Sequence, residues 1–424
     1  MIYDPVAGTT RFVSGTGDAW GYEESILATP TERLVPYSAT NNLVKHNVVL
    51  FPSEPAEYGD EAALVSSIKA FLRRYVDVSE DFELLSIYYI LFSWVYDAFH
   101  ETPYLRVRGG YGSGKTRYLL TMGSLCRFPL FASAASTVSP IFRLLDSFRG
   151  TLILDESDFR QSDEKAEIVK ILNNGNTKGF PILRTEVSSS REYNPRAYHV
   201  FGPKVIASRG VFEDQALESR CITEDMHAGS LRRDIPLNLD EHFHEEAREI
   251  RNQLLLYRLR RFKDAPGNIR TNTENLEPRL QQIFGPLVSV IQDASDKEKV
   301  VALIAKYHEA MVDERSDTTE AQILTVIHDL VAKGPGERVA IQDITREFMA
   351  RHGEAYERRI TPRWIGSLVR HRLGLRPSRS SGIFTLGPED VARLASLYAR
   401  YGVEVPPGNQ TPDVERDATP TAVP

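Results

Sequence analysis

The spacing of apolar residues predicts two helices early in the chain. Between 58 and 77, Leu64, Ile68, Phe71, Leu72 and Tyr75 recur at helical spacing. A second helix is predicted over 79–100. Its centre, 84–96, is almost continuously apolar but shorter than the roughly 20 residues of a membrane span, and Asp97 ends it. We therefore expect a buried helix and no membrane association.

The pattern changes to short apolar runs after residue 103. Five runs, separated by segments of helical length, lie at 104–107, 128–131, 151–154, 204–207 and 221–223. Short runs of this kind are typical of strands buried on both faces. They predict an α/β fold with a five-stranded, mostly parallel sheet. Two long helices are predicted to follow, over 240–263 and 276–293.

The C-terminal part predicts a separate unit. Helices are expected over 319–333 and 341–352, then from Thr361 to Leu373 with Pro362 in the first turn. Trp364, Ile365, Leu368 and Val369 should be its buried face. An extended return over 374–387 and a last helix over 388–401 complete the order of a winged helix-turn-helix.

These patterns divide the chain into six regions. Residues 1–48 have no sustained period and predict an irregular N-terminal region of unknown role. The others are a helical segment over 49–102, the α/β core over 103–235, a helical lid over 236–310, the winged-helix domain over 317–402, and a disordered, proline-rich tail over 403–424.

Composition narrows the class of protein. The 424 residues include 58 acidic and 51 basic ones, a net charge of −7, which excludes a uniformly basic nucleic-acid coat but not a local basic face. Cys126 and Cys221 are too few for a disulfide framework or a four-thiolate zinc site. The N-terminus lacks the basic start and apolar run of a secretory signal. We expect a cytoplasmic protein.

One segment matches G-x-x-x-x-G-K-[ST] in full and lies between a predicted strand and a predicted helix. It comprises Gly109, Gly110, Tyr111, Gly112, Ser113, Gly114, Lys115 and Thr116. In such a loop the backbone N–H groups and the helix N-terminus bind phosphates. Lys115 is expected to contact the β- and γ-phosphates of ATP, and Thr116 to bind Mg²⁺.

Two acidic residues, Asp155 and Glu156, end the apolar run at 151–154. The carboxyl ends of parallel strands are where open α/β sheets bind ligands. Asp155 is expected to complete the Mg²⁺ shell, and Glu156 to activate the attacking water. A nucleotide switch or a kinase needs no such water-activating acid, so the pair favours a hydrolase.

The loop and the acidic pair together resemble those of the AAA+ ATPases. The resemblance covers about 103–287 and implies three further nucleotide contacts. Ser208 stands at the sensor-1 position after the fourth run, and Arg220 in Leu217-Glu218-Ser219-Arg220 resembles the arginine finger of minichromosome-maintenance helicases. Arg279 stands at the sensor-2 position, with Arg261 and Arg270 as competitors. A finger acts in a neighbouring copy, so the resemblance implies a homo-oligomer, a hexameric ring.

Two basic segments are candidates for binding DNA. The first resembles the channel hairpin of superfamily-3 helicases and includes Lys178, Arg184, Arg191 and Arg196. The second, 357–379, has seven arginines and one glutamate, a net charge of +6, so the remaining chain has −13. Its candidate phosphate contacts are Arg363, Arg370, Arg376 and Arg379.

The order of core, lid and winged helix is similar to that of replicative helicases of plasmids and prophages. Our leading hypothesis is a ring-forming, ATP- and Mg²⁺-dependent DNA helicase of a mobile element. Two alternatives stay open: an origin-binding or helicase-loading AAA+ ATPase, and a DNA-binding regulator that uses ATP as a conformational switch.

Overall fold

The structure, a computed structural model, describes residues 1–133, 136–155, 163–187, 193–227, 232–265, 278–316, 318–334, 337–353, 356, 360–380, 383–387 and 390–403. They fall into two compact units, Met1–Ala305 and Lys306–Pro424. Some sequence predictions concern residues outside these ranges: Glu156, Arg191, Arg270, Glu357 and the tail from residue 404. None of the helices in the described part is both long and apolar enough to cross a membrane.

The sequence predicts an irregular N-terminal region, but this region forms antiparallel strands. Its elements are β1 (Ile2–Asp4), β2 (Thr9–Thr16), β3 (Ala19–Glu23), β4 (Ile26–Thr29), β5 (Glu32–Leu34) and the short helix α1 (Asn42–Lys45). β1, β2 and β3 pair in that order, and β4 pairs with β5. Most residues of β2 and β3 keep solvent access. The alternation that identifies a half-buried strand is therefore missing.

Two helices lead to the central sheet: α2 (Glu61–Tyr75) and α3 (Glu80–Val95). The side chains of Asp60 and Ser79 cap them by accepting hydrogen bonds from backbone amides in the first turn. Thirteen of the sixteen residues of α3 are buried, which confirms the helix predicted from the apolar run. At its end the indole Nε1 of Trp94 donates to the carbonyl of Leu125 at 2.9 Å.

The part of the chain around the central sheet has an α/β fold, and this sheet is wholly parallel. The chain continues through β6 (Tyr104–Arg108), α4 (Lys115–Leu125), β7 (Leu130–Ser133), α5 (Val138–Phe148), β8 (Leu152–Asp155), α6 (Asp163–Asn174), β9 (Ile182–Val187), β10 (Tyr193–Tyr198), β11 (Lys204–Ser208), α7 (Gln215–Glu218) and β12 (Cys221–Asp225). The sheet has the order β12-β6-β11-β8-β7, with parallel pairs throughout. All five predicted strands are confirmed. β9 and β10 form the separate antiparallel hairpin that the sequence predicts.

Three long helices follow the sheet. They are α8 (Glu241–Arg261), α9 (Pro278–Val290) and α10 (Ala294–Ser316), the last of which crosses from the first unit into the second. α8 and α9 agree with the helices predicted over 240–263 and 276–293. α10 is not predicted, because nine of its 23 residues are charged and, among its described side chains, the buried ones, Val300, Leu303 and Ile304, are close together.

The second unit has its own hydrophobic core. Its elements are α11 (Thr319–Lys333), β13 (Val339–Ala340), α12 (Ile341–His352), α13 (Pro362–His371), β14 (Ser378–Ser380), β15 (Ile383–Leu386) and α14 (Val391–Arg400). The strands form an antiparallel sheet in the order β13-β15-β14. The four predicted helices and the extended return are present. Ile365 and Val369 of α13 are fully buried, whereas Trp364 and Leu368 are half-buried.

Lys204, at the start of β11, is fully buried below the sheet. Its Nζ donates to the carbonyls of Gly175, Val200 and Gly202 at 3.1, 3.1 and 2.8 Å, and lies 4.8 Å from the ring centroid of Tyr104. Burial lowers the pKa of this lysine to about 7. The ammonium donors thus fix three carbonyls of the segment between α6 and β11.

We expect Lys204→Met to lower the free energy of unfolding by about 3 kcal/mol, because three buried carbonyls lose their donor while the cost of burying a charge disappears. Chemical denaturation measures the change. Lys170→Met is the control, since Lys170 is exposed and pairs with Glu167 three positions away; its effect should stay within about 0.5 kcal/mol. Equal effects of the two variants would contradict the structural role of Lys204.

Candidate nucleotide-binding site

The carboxyl ends of the parallel strands bring several predicted residues to one edge of the sheet. β6 ends at Arg108, directly before the glycine-rich loop, and β8 ends at Asp155. β11 lies between these two strands, and its last residue, Ser208, is level with Arg108. This edge of the sheet, here called the loop edge, is therefore where a ligand of the loop would bind.

The glycine-rich loop curls around the side chain of Lys115. Gly114 has a φ of +89°, a left-handed conformation that favours glycine, and it is the N-cap of α4. Lys115 Nζ donates to the carbonyls of Gly109 and Gly110 at 2.8 and 2.5 Å. The ammonium group thus lies within the loop, at the N-terminus of α4, where phosphate oxygens can become its acceptors.

Thr116 and Asp155 meet at the loop edge. Thr116 Oγ1 donates to Asp155 Oδ2 at 2.8 Å. A hydroxyl and a carboxylate oxygen suit Mg²⁺, which binds to one or two protein oxygens together with phosphates and water. The part of the chain that the structure describes has no group of three or more histidine, cysteine or acidic residues that could bind a metal by itself. The two residues fit a metal that arrives with a nucleotide.

A cavity of about 320 Å³ lies beside this pair. Thr116 and Asp155 line it together with Leu119, Phe131 and Ile153. The pair is therefore part of the lining of an open cavity.

Ser208 contacts the loop through its backbone and not its side chain. Its carbonyl accepts from Gly109 N at 3.1 Å, whereas its hydroxyl donates to the carbonyl of Gly210 at 3.0 Å. The next residue, Arg209, places its guanidinium 4.2 Å from the ring centroid of Tyr111 in the loop. Arg209 is not among the residues predicted from the sequence. The feature that could identify it is its place as a basic residue directly after a predicted parallel strand.

Arg220 lies at the other edge of the sheet. It precedes β12, and its carbonyl accepts from Tyr104 N, at the start of β6. Because β6 has five residues, about 13 Å of strand separates this position from the glycine-rich loop. The structure therefore does not bring Arg220 to the loop of its own chain. This edge is called the finger edge below.

Arg279, at the start of α9, lies with Arg220 at the finger edge. Burial, and next the charge of Arg220, lower the pKa of Arg279, while Glu101 and Tyr104 oppose the shift. Its Nη1 donates to Gln282 Oε1 at 3.1 Å. The predicted contact of Arg279 with the γ-phosphate of its own subunit does not match this position, because Arg279 lies beside the amino-terminal ends of the strands.

The cations of the hairpin differ in their surroundings. Lys178 Nζ donates to the carbonyl of Asp97 at 2.6 Å, and Arg184 pairs with Glu167. Arg196 lies opposite Arg184 in the register and is exposed, with its guanidinium 5.1 Å from the ring centroid of Tyr198. Of the predicted DNA contacts here, Arg196 is thus more accessible than Lys178 and Arg184.

The four arginines predicted to bind DNA in the second unit are all exposed: Arg363, Arg370, Arg376 and Arg379. Arg363 and Arg370 are seven residues apart in α13 and share one face of that helix. The guanidinium of Arg370 lies 5.5 Å from the ring centroid of Phe384 in β15. α13 and the sheet beside it therefore present a common basic surface.

No protein-family model matches the chain, and no curated protein matches it. Among solved structures, the C-terminal region of NrS-1 is 10% identical, with a TM-score of 0.36 over 91% of this chain and 83% of that one. The JCV helicase is 13% identical, with a TM-score of 0.28 over 60% of this chain and 64% of that one. The Aeropyrum pernix ORC1 protein in complex with DNA is 13% identical, with a TM-score of 0.25 over 79% of this chain and 96% of that one. All three TM-scores are below 0.5.

Proposed function

We propose that this chain is an ATP-hydrolysing AAA+ protein that acts on DNA, a ring-forming replicative helicase of a mobile element. The observation on which this rests is the hydrogen bond between Thr116 and Asp155 beside the loop that encloses Lys115. Thr116 in α4, which follows β6, and Asp155 at the end of β8 thereby form a single site with the charges and oxygen ligands for MgATP, although β6 and β8 are not neighbours in the sheet.

Each residue has a defined role in this proposal. Lys115 binds the β- and γ-phosphates, and the loop amides bind the other phosphate oxygens. Thr116 and Asp155 would hold Mg²⁺, which would supply positive charge against the phosphate oxygens. Glu156, which follows Asp155 in the sequence, orients and deprotonates the attacking water.

The finger edge supports an oligomer. Arg220 stabilises charge on the transferred phosphoryl group only if that group belongs to another copy, because Arg220 and the loop are at opposite edges of the sheet. Repeated contacts between unlike faces close into a ring when the rotation between copies permits. Arg279 lies at the same edge, so we assign it to the neighbour's nucleotide as well.

The second unit is proposed to be a winged helix that binds duplex DNA. Its third helix, α13, would enter the major groove, while Arg376 and Arg379 on the extended return contact phosphates. The acidic remainder of the chain should repel DNA, so binding is confined to this surface and to the hairpin.

One observation favours a second candidate, an origin-binding or helicase-loading ATPase. A translocating hairpin must offer free cations to the strand, yet Lys178 and Arg184 are engaged by Asp97 and Glu167. In a loader, duplex binding by the second unit would be the main DNA contact.

An unwinding assay on forked DNA, with ATP hydrolysis followed in parallel, tests the proposal. A helicase should separate the strands only with ATP and Mg²⁺, and mass measurement should show an assembly of several copies. Hydrolysis and duplex binding without unwinding would support the loader. Absence of ATP hydrolysis with and without DNA would refute both candidates and leave the regulator that binds ATP as a switch.

Replacing Arg363 and Arg370 by alanine should weaken duplex binding and lower the slope of log affinity against log salt by about one for each lost phosphate contact. Fluorescence anisotropy over a range of salt concentrations measures the slope. Lys333→Ala with Arg346→Ala removes the same charge from exposed positions of α11 and α12. If this control lowers the slope equally, α13 is not the binding surface.

A further inference from the structure

Two asparagines bind the guanidinium of Arg220. Its Nε donates to Asn176 Oδ1 and its Nη1 to Asn173 Oδ1, both at 2.8 Å, and Nη1 also donates to the carbonyl of Ala216. Nη2 donates to none of the residues that the structure describes. Three of the five N–H groups of the guanidinium are thus engaged, and the two on Nη2 are left for an acceptor such as a phosphate oxygen.

The surroundings leave the charge of Arg220 uncompensated. Within the described part of the chain, no carboxylate lies within 4 Å of its guanidinium. The nearest acid in the sequence, Glu218, is bound by two nitrogens of Arg106, a fully buried arginine of β6. Asn173 and Asn176 accept hydrogen bonds through neutral carboxamides, so they orient the guanidinium without cancelling its charge.

Asn173 lies in the last turn of α6 and Asn176 in the tight turn that follows, and hydrogen bonds hold this second turn in place. The carbonyl of Asn176 accepts from Thr102 N at 2.8 Å, and that of Gly175 accepts from Gly202 N and Lys204 Nζ at 3.1 Å. A Cβ at Gly175 would lie 2.4 Å from Lys204 Nζ and 2.7 Å from the carbonyl oxygen of Val200, so only glycine fits there. The approach of Lys204 therefore depends on a turn that no larger residue can form.

Asn173 also contacts the helix that leads to the arginine. Its Nδ2 donates to Asp214 Oδ2 at 3.1 Å, and Asp214 caps α7 by accepting from Leu217 N at 2.8 Å. α7 ends two residues before Arg220. Asn173 thus contacts both the side chain of Arg220 and the cap of the helix that leads to it.

We propose that Asn173 and Asn176 are positioning residues that orient the Arg220 guanidinium, through neutral carboxamides, for the nucleotide of a neighbouring copy. The inference rests on the proposed function. It assigns a role to Asn173 and Asn176, which the nucleotide site of the same chain does not use.

Asn176→Asp tests this proposal, because it changes only one group and places a carboxylate beside the guanidinium. We expect kcat for ATP hydrolysis to fall about 100-fold while KM stays within about twofold, since a neutralised finger stabilises the transition state less but does not change ATP binding. Asn174→Asp is the matched control. Asn174 is exposed and donates to the carbonyl of Lys170, not to Arg220; this variant should behave as the wild type.

A double-mutant comparison separates positioning from general structural damage. In an Arg220→Ala background, Asn176→Asp should lower kcat no further, because its target is gone. Asn173→Asp, at a half-buried position that tolerates charge better, should behave like Asn176→Asp. The proposal is overturned if Asn176→Asp equals Asn174→Asp, or if it lowers kcat by the same factor without Arg220. If the wild type hydrolyses no ATP, the proposed function itself fails, which is a distinct result.

Discussion

Arg220→Ala should lower ATP hydrolysis by about 10³-fold or more, the range typical of arginine fingers, while ATP binding remains. The physical reason is the position of Arg220 at the finger edge, where hydrogen bonds to Asn173 and Asn176 orient its guanidinium. Steady-state hydrolysis and equilibrium binding of a fluorescent ATP analogue measure the two effects separately.

Mixing subunits shows whether Arg220 acts between copies. Arg220→Ala subunits have an intact loop, and Lys115→Ala subunits have an intact Arg220. In a random equal mixture, about a quarter of the sites combine an intact loop with a neighbour's intact finger, so activity should recover to that extent. Two inactive variants that stay inactive when mixed, in assemblies shown to contain both, would contradict action in trans. Full activity of Arg220→Ala without a second variant would show that Arg220 is not an arginine finger.

The loop edge is the part of the molecule that the sequence predicts best. The residues from Gly109 to Thr116 are contiguous, and Asp155 directly ends an apolar strand, so local patterns locate both. Their proximity then follows from the parallel sheet, whose strands end at one edge. The bond between Thr116 and Asp155, 39 positions apart, agrees with this reasoning.

The finger edge could not be derived in the same way. The partners of Arg220 are 44 and 47 positions away in the chain, and neither asparagine belongs to a periodic pattern. The placement of Arg279 depends on how α9 packs, which a count of residues from the last strand does not determine. Tertiary packing decides both.

The degree of burial explains the other differences between the predicted and the observed helices and strands. β2 and β3 lack a buried face, and α10 has a short apolar stripe in a charged helix, so neither shows the period of its element. By contrast, α11 and α12 begin and end at the predicted residues because their buried residues recur along their length. Periodicity therefore predicts an element only where the element contributes to a core.

Glu156→Gln should leave MgATP binding intact and reduce hydrolysis by about 10² to 10⁴-fold, the usual contribution of a general base. Glutamine keeps the size of the side chain but accepts no proton from water. Asp155→Asn is the informative companion, because Asp155 accepts the bond from Thr116 and is proposed to bind the metal. Raising the Mg²⁺ concentration should partly restore ATP hydrolysis by Asp155→Asn but not by Glu156→Gln. Near-normal hydrolysis by Glu156→Gln would refute the assignment of the base, and equal rescue of both variants by Mg²⁺ would show that the two acids share one role.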